Sequence, residues 1–347
     1  MTESRLLNLL KGKNVVYITV KNEDYIRTSQ IKWILTENAK KFRIYSSEKG
    51  NPLTRTIDIR KKLRSISFEG VDVVIAGFLP QLIWKDLIKR SLGTGIIVIA
   101  EMFLSLYDTV VLDRKLVWKR GIIFHICKRF DRTVVKEADY IITDTKADAD
   151  FFAKEFGTEK DREKFETLYL EADLGDCISA NVVLDKNEDE NSKTILYFGT
   201  GLPLQGTDYV AKAFNVLAEE YGCNCIYIGG LNNMSRNLKR KLLSCKDKAV
   251  RCGKGSITYY KWLDQKVLYE NIANASVCLA GHFDPNIDKA DRTIPGKAMI
   301  YEAMGKGMIL GDTKANREFF TSNEKHIFVS RGNEKSIVDA VLKLSTS

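Results

Sequence analysis

The chain has 347 residues, of which 44% are apolar and 29% are charged, with a net charge of +9. This is an ordinary composition for a soluble globular protein, and the length allows two domains. The longest apolar run, residues 95–106, is too short to span a bilayer, the first residues lack the apolar core of a secretory signal, and the seven cysteines form no CxxC pair.

Short apolar runs rich in β-branched residues alternate with helical patterns in the first half of the chain. Such alternation predicts a parallel sheet covered by helices. The predicted strands are Lys13–Val20, Phe42–Tyr45, Val71–Ala76, Gly95–Ala100 and Tyr140–Thr143, and the clearest predicted helices are Thr28–Lys41 and Leu79–Ser91.

A polar, acidic stretch at residues 184–193 (LDKNEDENSK) predicts a linker, after which the alternation begins again. The predicted strands are then Ile195–Phe198, Ile226–Ile228, Val277–Ala280 and Met308–Leu310, and the predicted helices are Asp208–Tyr221, Arg236–Leu243, Gln265–Ala273 and Pro295–Met304. We therefore expect an α/β protein with one domain over residues 1–183 and another over 194–347. Because ligands of such sheets bind beyond the carboxyl ends of the strands, a cleft between the domains is the expected site.

The segment 294–309 (IPGKAMIYEAMGKGMI) is the most informative stretch of the chain. Pro295 and Gly296 predict a helix start, Lys297 lies in the first turn, and Glu302 follows five residues later. A helix N-terminus and a lysine suit a phosphate, and a carboxylate suits the diol of a ribose. An ordinary surface helix fits the same spacing.

A glycine-rich turn follows the first strand of the second domain. Gly199 and Gly201 come after the strand, and Gly206 precedes a helix. Glycines at such a turn let the backbone approach a phosphate closely, although turns of this kind are common in α/β proteins.

These segments together resemble the donor half of GT-B glycosyltransferases of the GT4 class, in particular bacterial enzymes of surface-polysaccharide synthesis. The similarity rests on the P-L-x-G turn at 203–206, the I-P-x-K…E segment and a later R-E-F-F at 317–320. SLYDTVVLDRK and ADYIITDTKADADFFAKEFG look like the matching acceptor-half segments. The resemblance implies two Rossmann-like parallel-sheet domains that face each other across a cleft.

The resemblance also implies roles for individual residues. Glu302 would hold the donor ribose, and Lys297, behind Pro295, would face the diphosphate. Trp262 and Leu263 would lie in the loop that recognises the base. Gly199, Thr200, Gly201, Gln205 and Gly206 would pass beside the diphosphate and the transferred sugar.

Three positions depart from the family pattern. Many GT4 enzymes carry Arg and Lys near positions 200 and 205, where this chain has Thr200 and Gln205, and a Glu where it has Ile294. The phosphate charge would then be met by Lys297 together with Lys289 or Arg292, since arginine can grip two phosphate oxygens at once. A solvated surface loop also fits Lys289 and Arg292, and nearby His282 is a further candidate donor contact.

Candidate residues in the first domain lie near the end of a predicted strand. Glu101 ends GIIVIAE, where a carboxylate could take the acceptor proton or stabilise developing positive charge, so it is the predicted catalytic residue. Asp108, Asp113 and Arg114 follow closely as predicted acceptor-side residues, although Asp113 and Arg114 would also suit a structural ion pair.

Positive charge is concentrated in the first 136 residues, which hold 26 Lys and Arg against 13 Asp and Glu. Such a half suggests an anionic partner: a membrane surface, a polyphosphate-linked acceptor or nucleic acid. A merely solvated basic face fits the same charge equally well. The basic, apolar segment Lys115–Arg129 would suit an anionic membrane, and a helix packed on the first sheet fits nearly as well. Nucleic acid has charge alone as its support, so no nucleic-acid partner is expected.

We therefore expect a retaining glycosyltransferase that moves a hexose or related sugar from a nucleoside diphosphate donor to a glycan or polyprenyl-linked acceptor. Leaving-group stabilisation by fixed cations would drive catalysis. No cofactor and no metal site are expected, and the expected location is cytoplasmic, with peripheral attachment to the inner face of the membrane. Two alternatives are a nucleotide-sugar epimerase of the same fold and a non-catalytic glycosyltransferase-like partner subunit.

Overall fold

The computed structural model describes residues 4–113, 121–172 and 193–344, with the side chains of Pro52 and residues 111–113 outside that description. The chain divides into two compact units, Met1–Asp173 and Leu174–Ser347, each with its own apolar core. The expected domain boundary after residue 183 and the linker residues 184–192 lie outside the described residues.

Unit 1 is built on a six-stranded, wholly parallel sheet with the order β2-β1-β3-β4-β5-β6. Its strands are β1 Asn14–Ile18, β2 Lys41–Tyr45, β3 Val73–Ala76, β4 Ile97–Glu101, β5 Tyr140–Thr143 and β6 Phe165–Thr167. Its α-helices are Arg5–Leu10, Ile26–Asn38, Pro52–Ser65, Trp84–Ser91, Ile122–Glu137 and Lys146–Phe156. All four residues of β3 are buried, which explains why the central strands read as unbroken apolar runs.

Five of these strands were predicted, but two predicted helices in unit 1 are wrong at their ends. The helix predicted over 28–41 ends at Asn38, whose carbonyl accepts a hydrogen bond from the Gly12 amide, and Lys41 already opens β2. The helix predicted over 79–91 is split into a 3-10 turn, Pro80–Leu82, and a helix from Trp84, because Leu79 has a left-handed backbone conformation.

Unit 2 has a seven-stranded sheet with the order β13-β12-β11-β7-β8-β10-β9, in which only the edge strand β9 is antiparallel. Its strands are β7 Thr194–Gly199, β8 Asn224–Gly229, β9 Val250–Cys252, β10 Gly255–Tyr260, β11 Val277–Gly281, β12 Met308–Gly311 and β13 His326–Val329. Its α-helices are Thr207–Tyr221, Arg236–Ser244, Gln265–Asn274, Lys289–Arg292, Gly296–Ala303, Lys314–Phe319 and Glu334–Leu344. The chain leaves β7 toward β8 and later returns to the other side of β7 with β11, so the switch of direction lies between β7 and β11.

Two turns at the carboxyl edge of unit 2 pack backbone against backbone. The Gly230 amide donates to the Gly199 carbonyl at 2.9 Å. A Cβ atom at Gly229 would lie 1.9 Å from that same carbonyl oxygen, and one at Gly230 would lie 2.3 Å from the Thr200 carbonyl oxygen. The Gly229–Gly230 pair therefore fixes the position of the turn that follows β7.

This contact predicts an unusually severe effect of a single methyl group. Gly229 and Gly305 both have positive φ, but a Cβ at Gly305 meets nothing within 4 Å. We expect Gly305→Ala to lower the free energy of unfolding by about 1 kcal/mol, and Gly229→Ala by roughly 2–4 kcal/mol, since the added methyl must also displace a strand end. Guanidinium unfolding of both variants measures the difference, and equal losses would contradict this backbone packing.

Candidate functional site

The carboxyl edge of the unit 2 sheet brings several predicted donor residues together. Gly199 ends β7 and Gly281 ends β11, on the two sides of the switch point where open α/β sheets bind ligands. Lys297, in the first turn of the Gly296–Ala303 helix, places its Nζ atom beside both glycines. A Cβ would lie 2.9 Å from Nζ at Gly199 and 3.5 Å at Gly281.

Lys297 is a buried lysine without a hydrogen-bonding partner in the part of the chain that the structure describes. Its side chain is 6% exposed, and Nζ accepts and donates no hydrogen bond within the described residues. Nζ lies 3.8 Å from the centroid of the Tyr197 ring, and burial lowers the pKa of Lys297 well below its usual value. An ammonium at this position would gain most from an anion, because the helix start behind Pro295 adds free N–H groups of the same sign.

Gln205 closes the turn after β7. Its Oε1 atom accepts hydrogen bonds from the Gly201 amide at 3.0 Å, the Leu202 amide at 3.2 Å and the Tyr197 hydroxyl at 3.1 Å. Gly206 then starts the Thr207–Tyr221 helix in a left-handed conformation, and Thr200 at the tip is exposed. Gln205 thus stabilises the turn by accepting these hydrogen bonds. A neutral side chain can do this, and nothing in the sequence indicated this role.

Further cations surround the loop between β11 and the Gly296–Ala303 helix. His282 is buried with a left-handed φ of 60°, and its Nδ1 atom lies 2.9 Å from the Thr293 carbonyl oxygen. Burial, followed by the charge of Lys297, lowers the pKa of His282 to about 3, with Lys289 and Arg331 acting in the same direction. The ring is therefore neutral, and four positively charged or basic side chains converge here.

Lys289 and Arg292 are buried within a short helix, which contradicts the alternative of a solvated surface loop. Arg331 was not predicted. It follows β13, donates to the Asp284 carbonyl at 3.3 Å and lies 3.8 Å from Asp291. Arg331 could have been found in the sequence only as an arginine that follows a strand, and β13 itself was not predicted.

Glu302 is not brought together with Lys297. Its Oε2 atom lies 2.7 Å from Nε2 of His326, the first residue of β13, at the edge where the strands begin. Ile300 and Tyr301 occupy the positions one turn beyond Lys297, since residues three and four apart share a helix face. The ribose role of Glu302 stays a prediction from resemblance, and the structure gives its carboxylate a different partner.

A second part of the same edge holds an open pocket of about 460 Å³ beside the ends of β8 and β10. It is lined by Gly229, Gly230, Leu231, Asn232, Lys239, Leu243, Lys246, Tyr259 and Lys261. Trp262, 80% exposed, and the half-buried Leu263 follow directly after Lys261. The predicted base-recognition loop therefore lies next to a pocket rich in hydrogen-bond donors.

Glu101 in unit 1 lies inside a buried ion-pair network. It accepts hydrogen bonds from the Tyr17 hydroxyl at 3.1 Å and the Phe78 amide at 3.2 Å, and its Oε1 lies 3.5 Å from Nε of Arg27. Arg27 also pairs with Asp144 and donates to the Leu168 carbonyl. Burial raises the pKa of Glu101 to about 7, against the opposing effect of Arg27.

The predicted acceptor-side residues are only partly described. Asp108 is buried at the start of a π-helical turn, Asp108–Asp113, where its amide donates a hydrogen bond to the Ser105 hydroxyl oxygen at 2.9 Å. The Asp113 side chain and Arg114 lie outside the described residues. Asp131, which was not predicted, holds the preceding loop by accepting hydrogen bonds from Gln81, Ser105 and the Tyr107 amide.

Comparison with known proteins supports the fold but gives no family. No family model and no curated protein sequence match the chain. Among solved structures, sucrose-phosphate synthase from Thermosynechococcus elongatus matches with a TM-score of 0.67 at 8% identity, over 96% of this chain and 90% of that one. Anabaena HepE in complex with UDP and glucose matches with a TM-score of 0.59 at 10% identity, over 96% and 92%.

A Listeria monocytogenes protein assigned as a UDP-N-acetylglucosamine 2-epimerase matches with a TM-score of 0.53 at 14% identity, over 97% and 88% of the two chains. Identities this low establish fold alone. The predicted α/β class is confirmed: the two parallel-dominated sheets are those of the GT-B, Rossmann-like fold. Within the described ranges, no helix is long and apolar enough to cross a membrane, and no group of three His, Cys, Asp or Glu side chains could hold a metal ion.

The buried position of Glu101 predicts a specific pH dependence of stability. Because its pKa is raised to about 7 in the folded chain, the protonated form favours folding, and this contribution is full below pH 4.5 and is lost as pH rises through 7. We expect the free energy of unfolding of the wild type to fall between pH 4.5 and 7 relative to that of Glu101→Gln. Urea unfolding across this range tests it, with exposed Glu69→Gln as control. Parallel pH profiles for wild type and Glu101→Gln would contradict the prediction.

Proposed function

We propose that the chain is a glycosyltransferase that moves a sugar from a nucleoside diphosphate sugar to a glycan or lipid-linked acceptor. The observation that carries the proposal is the buried Lys297 side chain at the switch point of the unit 2 sheet, whose Nζ atom has no hydrogen-bonding partner among the described residues. HepE, of the same fold, is in complex with UDP and glucose, which supports a donor of that chemistry. UDP is therefore the first nucleotide to test.

The proposed role of Lys297 is to stabilise the leaving group. Negative charge grows on the diphosphate as the bond to the sugar breaks, and a preorganised cation in a buried site lowers the energy of that state. Since burial lowers the pKa of Lys297, binding of a diphosphate would draw a proton onto Nζ. Arg331 and the start of the Gly296–Ala303 helix would add to the same field, so that no metal ion or other cofactor is required.

The finer parts of the proposal rest on the GT4 resemblance alone, because the fold does not determine them. They are a retaining outcome, a hexosyltransferase-type reaction, a polyprenyl-linked acceptor, a role in cell-surface polysaccharide synthesis and a cytoplasmic location. We assign Glu101 to a positioning role, because its carboxylate is only 1% exposed and holds the Phe78 loop. Glu302 is left out of the proposed donor site because of its contact with His326.

An epimerase remains the second candidate, favoured by the Listeria monocytogenes neighbour of the same fold. It would convert a sugar nucleotide without any acceptor. A non-catalytic partner subunit would bind no donor, and thermal shift with UDP-, GDP-, dTDP- and CMP-sugars separates it from both enzymes, since a bound ligand raises the apparent stability.

Removing the charge of Lys297 tests the donor site directly. Lys297→Met should weaken UDP binding about ten- to hundredfold, as expected for a charged contact of about 1.5–3 kcal/mol, while uridine binding changes less than about twofold. Calorimetry at pH 8 in two buffers of different ionisation enthalpy should also show proton uptake with UDP in the wild type and none in the variant.

Lys266→Met, at an exposed lysine of the Gln265–Asn274 helix, is the matched control and should leave both affinities unchanged. Equal losses of UDP and uridine affinity in Lys297→Met would show that Lys297 does not face the phosphates.

The Ile122–Glu137 helix supports attachment to an anionic membrane. Ile122, Ile126 and Phe130 are spaced by four residues on one helix face and are 80%, 46% and 48% exposed, and Arg129 and Arg132 beside them are exposed. Lys128, which the sequence suggested for this role, is instead paired with Glu155. An apolar stripe flanked by arginines suits a surface of anionic lipid, where a lipid-linked acceptor would lie.

Vesicle sedimentation tests this attachment. Binding should rise with anionic lipid content and fall with added salt, and Ile126→Ser with Phe130→Ser should reduce it at least about tenfold, since each loses buried apolar area. Leu92→Ser, at an isolated leucine that is 80% exposed, is the control. Unchanged binding of the double variant would remove this helix from the proposal.

A further inference from the structure

Three aromatic rings meet at the carboxyl edge of the unit 1 sheet. Tyr25 follows β1, Phe78 follows β3, and Phe103 follows β4. The Phe78 ring centroid lies 5.4 Å from that of Tyr25 and 5.2 Å from that of Phe103, and Tyr25 and Phe103 are stacked at 6.4 Å. This aromatic cluster stands where parallel sheets receive their ligands.

Lys21 carries its charge into this cluster. Its Nζ lies 4.7 Å from the centroid of the Tyr25 ring and 4.6 Å from that of Phe78. The pKa of Lys21 is lowered, first by burial and then by the positive charge of Arg55 from the Pro52–Ser65 helix. The positive charge of Arg55 thus acts on the partly buried Lys21 ammonium, and a bound anion would offset that repulsion.

Two carboxylates of this region are already engaged. Glu101 is held by Arg27, Tyr17 and the Phe78 amide, and Asp58 accepts from Ser47 and pairs with Lys62. No ion pair within residues 4–113, 121–172 and 193–344 joins Lys21 or Arg55 to a carboxylate. Arg55 donates from Nε to the Lys49 carbonyl, a neutral acceptor, so neither positive charge is neutralised by one of these carboxylates.

The loop that carries Phe78 is held in a costly conformation. Phe78 and Leu79 have φ values of 21° and 59°, which side-chain-bearing residues rarely adopt. The hydrogen bond from the Phe78 amide to Glu101 fixes the loop, so the ring stays against Lys21. The buried network of Glu101 and Arg27 supports the cluster from beneath.

We propose that Lys21, Arg55 and the three aromatic rings form a subsite for a phosphorylated acceptor. The phosphoryl group would bind between the two cations, whose combined charge matches a phosphate near its dianionic form, and the adjoining sugar or prenyl group would pack on the rings. This rests on the proposed function, because it gives the acceptor a phosphate or diphosphate next to the group that receives the sugar.

Calorimetry with two soluble probes tests the subsite. Glucose 1-phosphate represents a sugar phosphate and geranyl diphosphate a lipid phosphate. Both are titrated into wild type, Lys21→Met, Arg55→Met and the control Lys85→Met, an exposed lysine of the Trp84–Ser91 helix. Methionine keeps the unbranched stem of Lys21 between the rings and removes only its charge. Saturating UDP is present during the titrations so that the probes cannot bind at the proposed donor site of unit 2. If UDP does not bind, the titrations are repeated without UDP on the Lys297→Met background, in which that site has lost its lysine.

At least one probe should bind the wild type and Lys85→Met equally, and bind Lys21→Met and Arg55→Met at least about tenfold more weakly. The probe that shows this loss of affinity identifies the source of the phosphate. Glucose, which carries no phosphate, should show no such difference between the wild type and the variants. Equal affinities in wild type and Lys21→Met, or no binding of either probe, would overturn the subsite. Loss of UDP binding alone would overturn the donor proposal and leave the subsite intact.

Discussion

Parallel pairing of the strands is the constraint on which the rest of the molecule depends. It places the carboxyl ends of β1 to β6 at one edge of unit 1, and those of β7, β8 and β10 to β13 at one edge of unit 2. Residues far apart in sequence, such as Gly199, Gly281 and Lys297, therefore become neighbours without any long-range motif. Lys297 in unit 2 and Lys21 in unit 1 both lie near that edge, beside residues that follow the strands.

The strands were predictable because burial on both faces leaves a plain signal. β3 and β11 are fully buried runs, and a continuous apolar stretch of that length reads as a strand. β9, β10 and β13 were missed because edge or mixed burial leaves polar residues such as Arg251, Ser256 and His326 within them. Helix ends were lost where single backbone conformations decide them, as at Leu79.

The candidate site was predictable only where chemistry and position coincided. Lys297 near Pro295 could be proposed from the helix start, and the structure buries its Nζ atom with no hydrogen-bonding partner among the residues it describes. Glu302 shared the same helix, but five residues turn a helix through more than one full revolution, so it reaches His326 and not the switch point. The positions of Arg331 and Lys21 in their sites depend on which strands become neighbours. The spacing of residues along the chain does not reveal this.

The burial of Lys297 has a consequence for how tightly a ligand could be held. A lysine on the surface keeps most of its rotamers and loses roughly 1.5–2 kcal/mol of conformational entropy when a ligand fixes it. Lys297, packed over the Tyr197 ring beside two glycines, has already lost that freedom when the chain folds. An anion that enters therefore meets an ordered side chain, so more of the contact energy would appear as affinity.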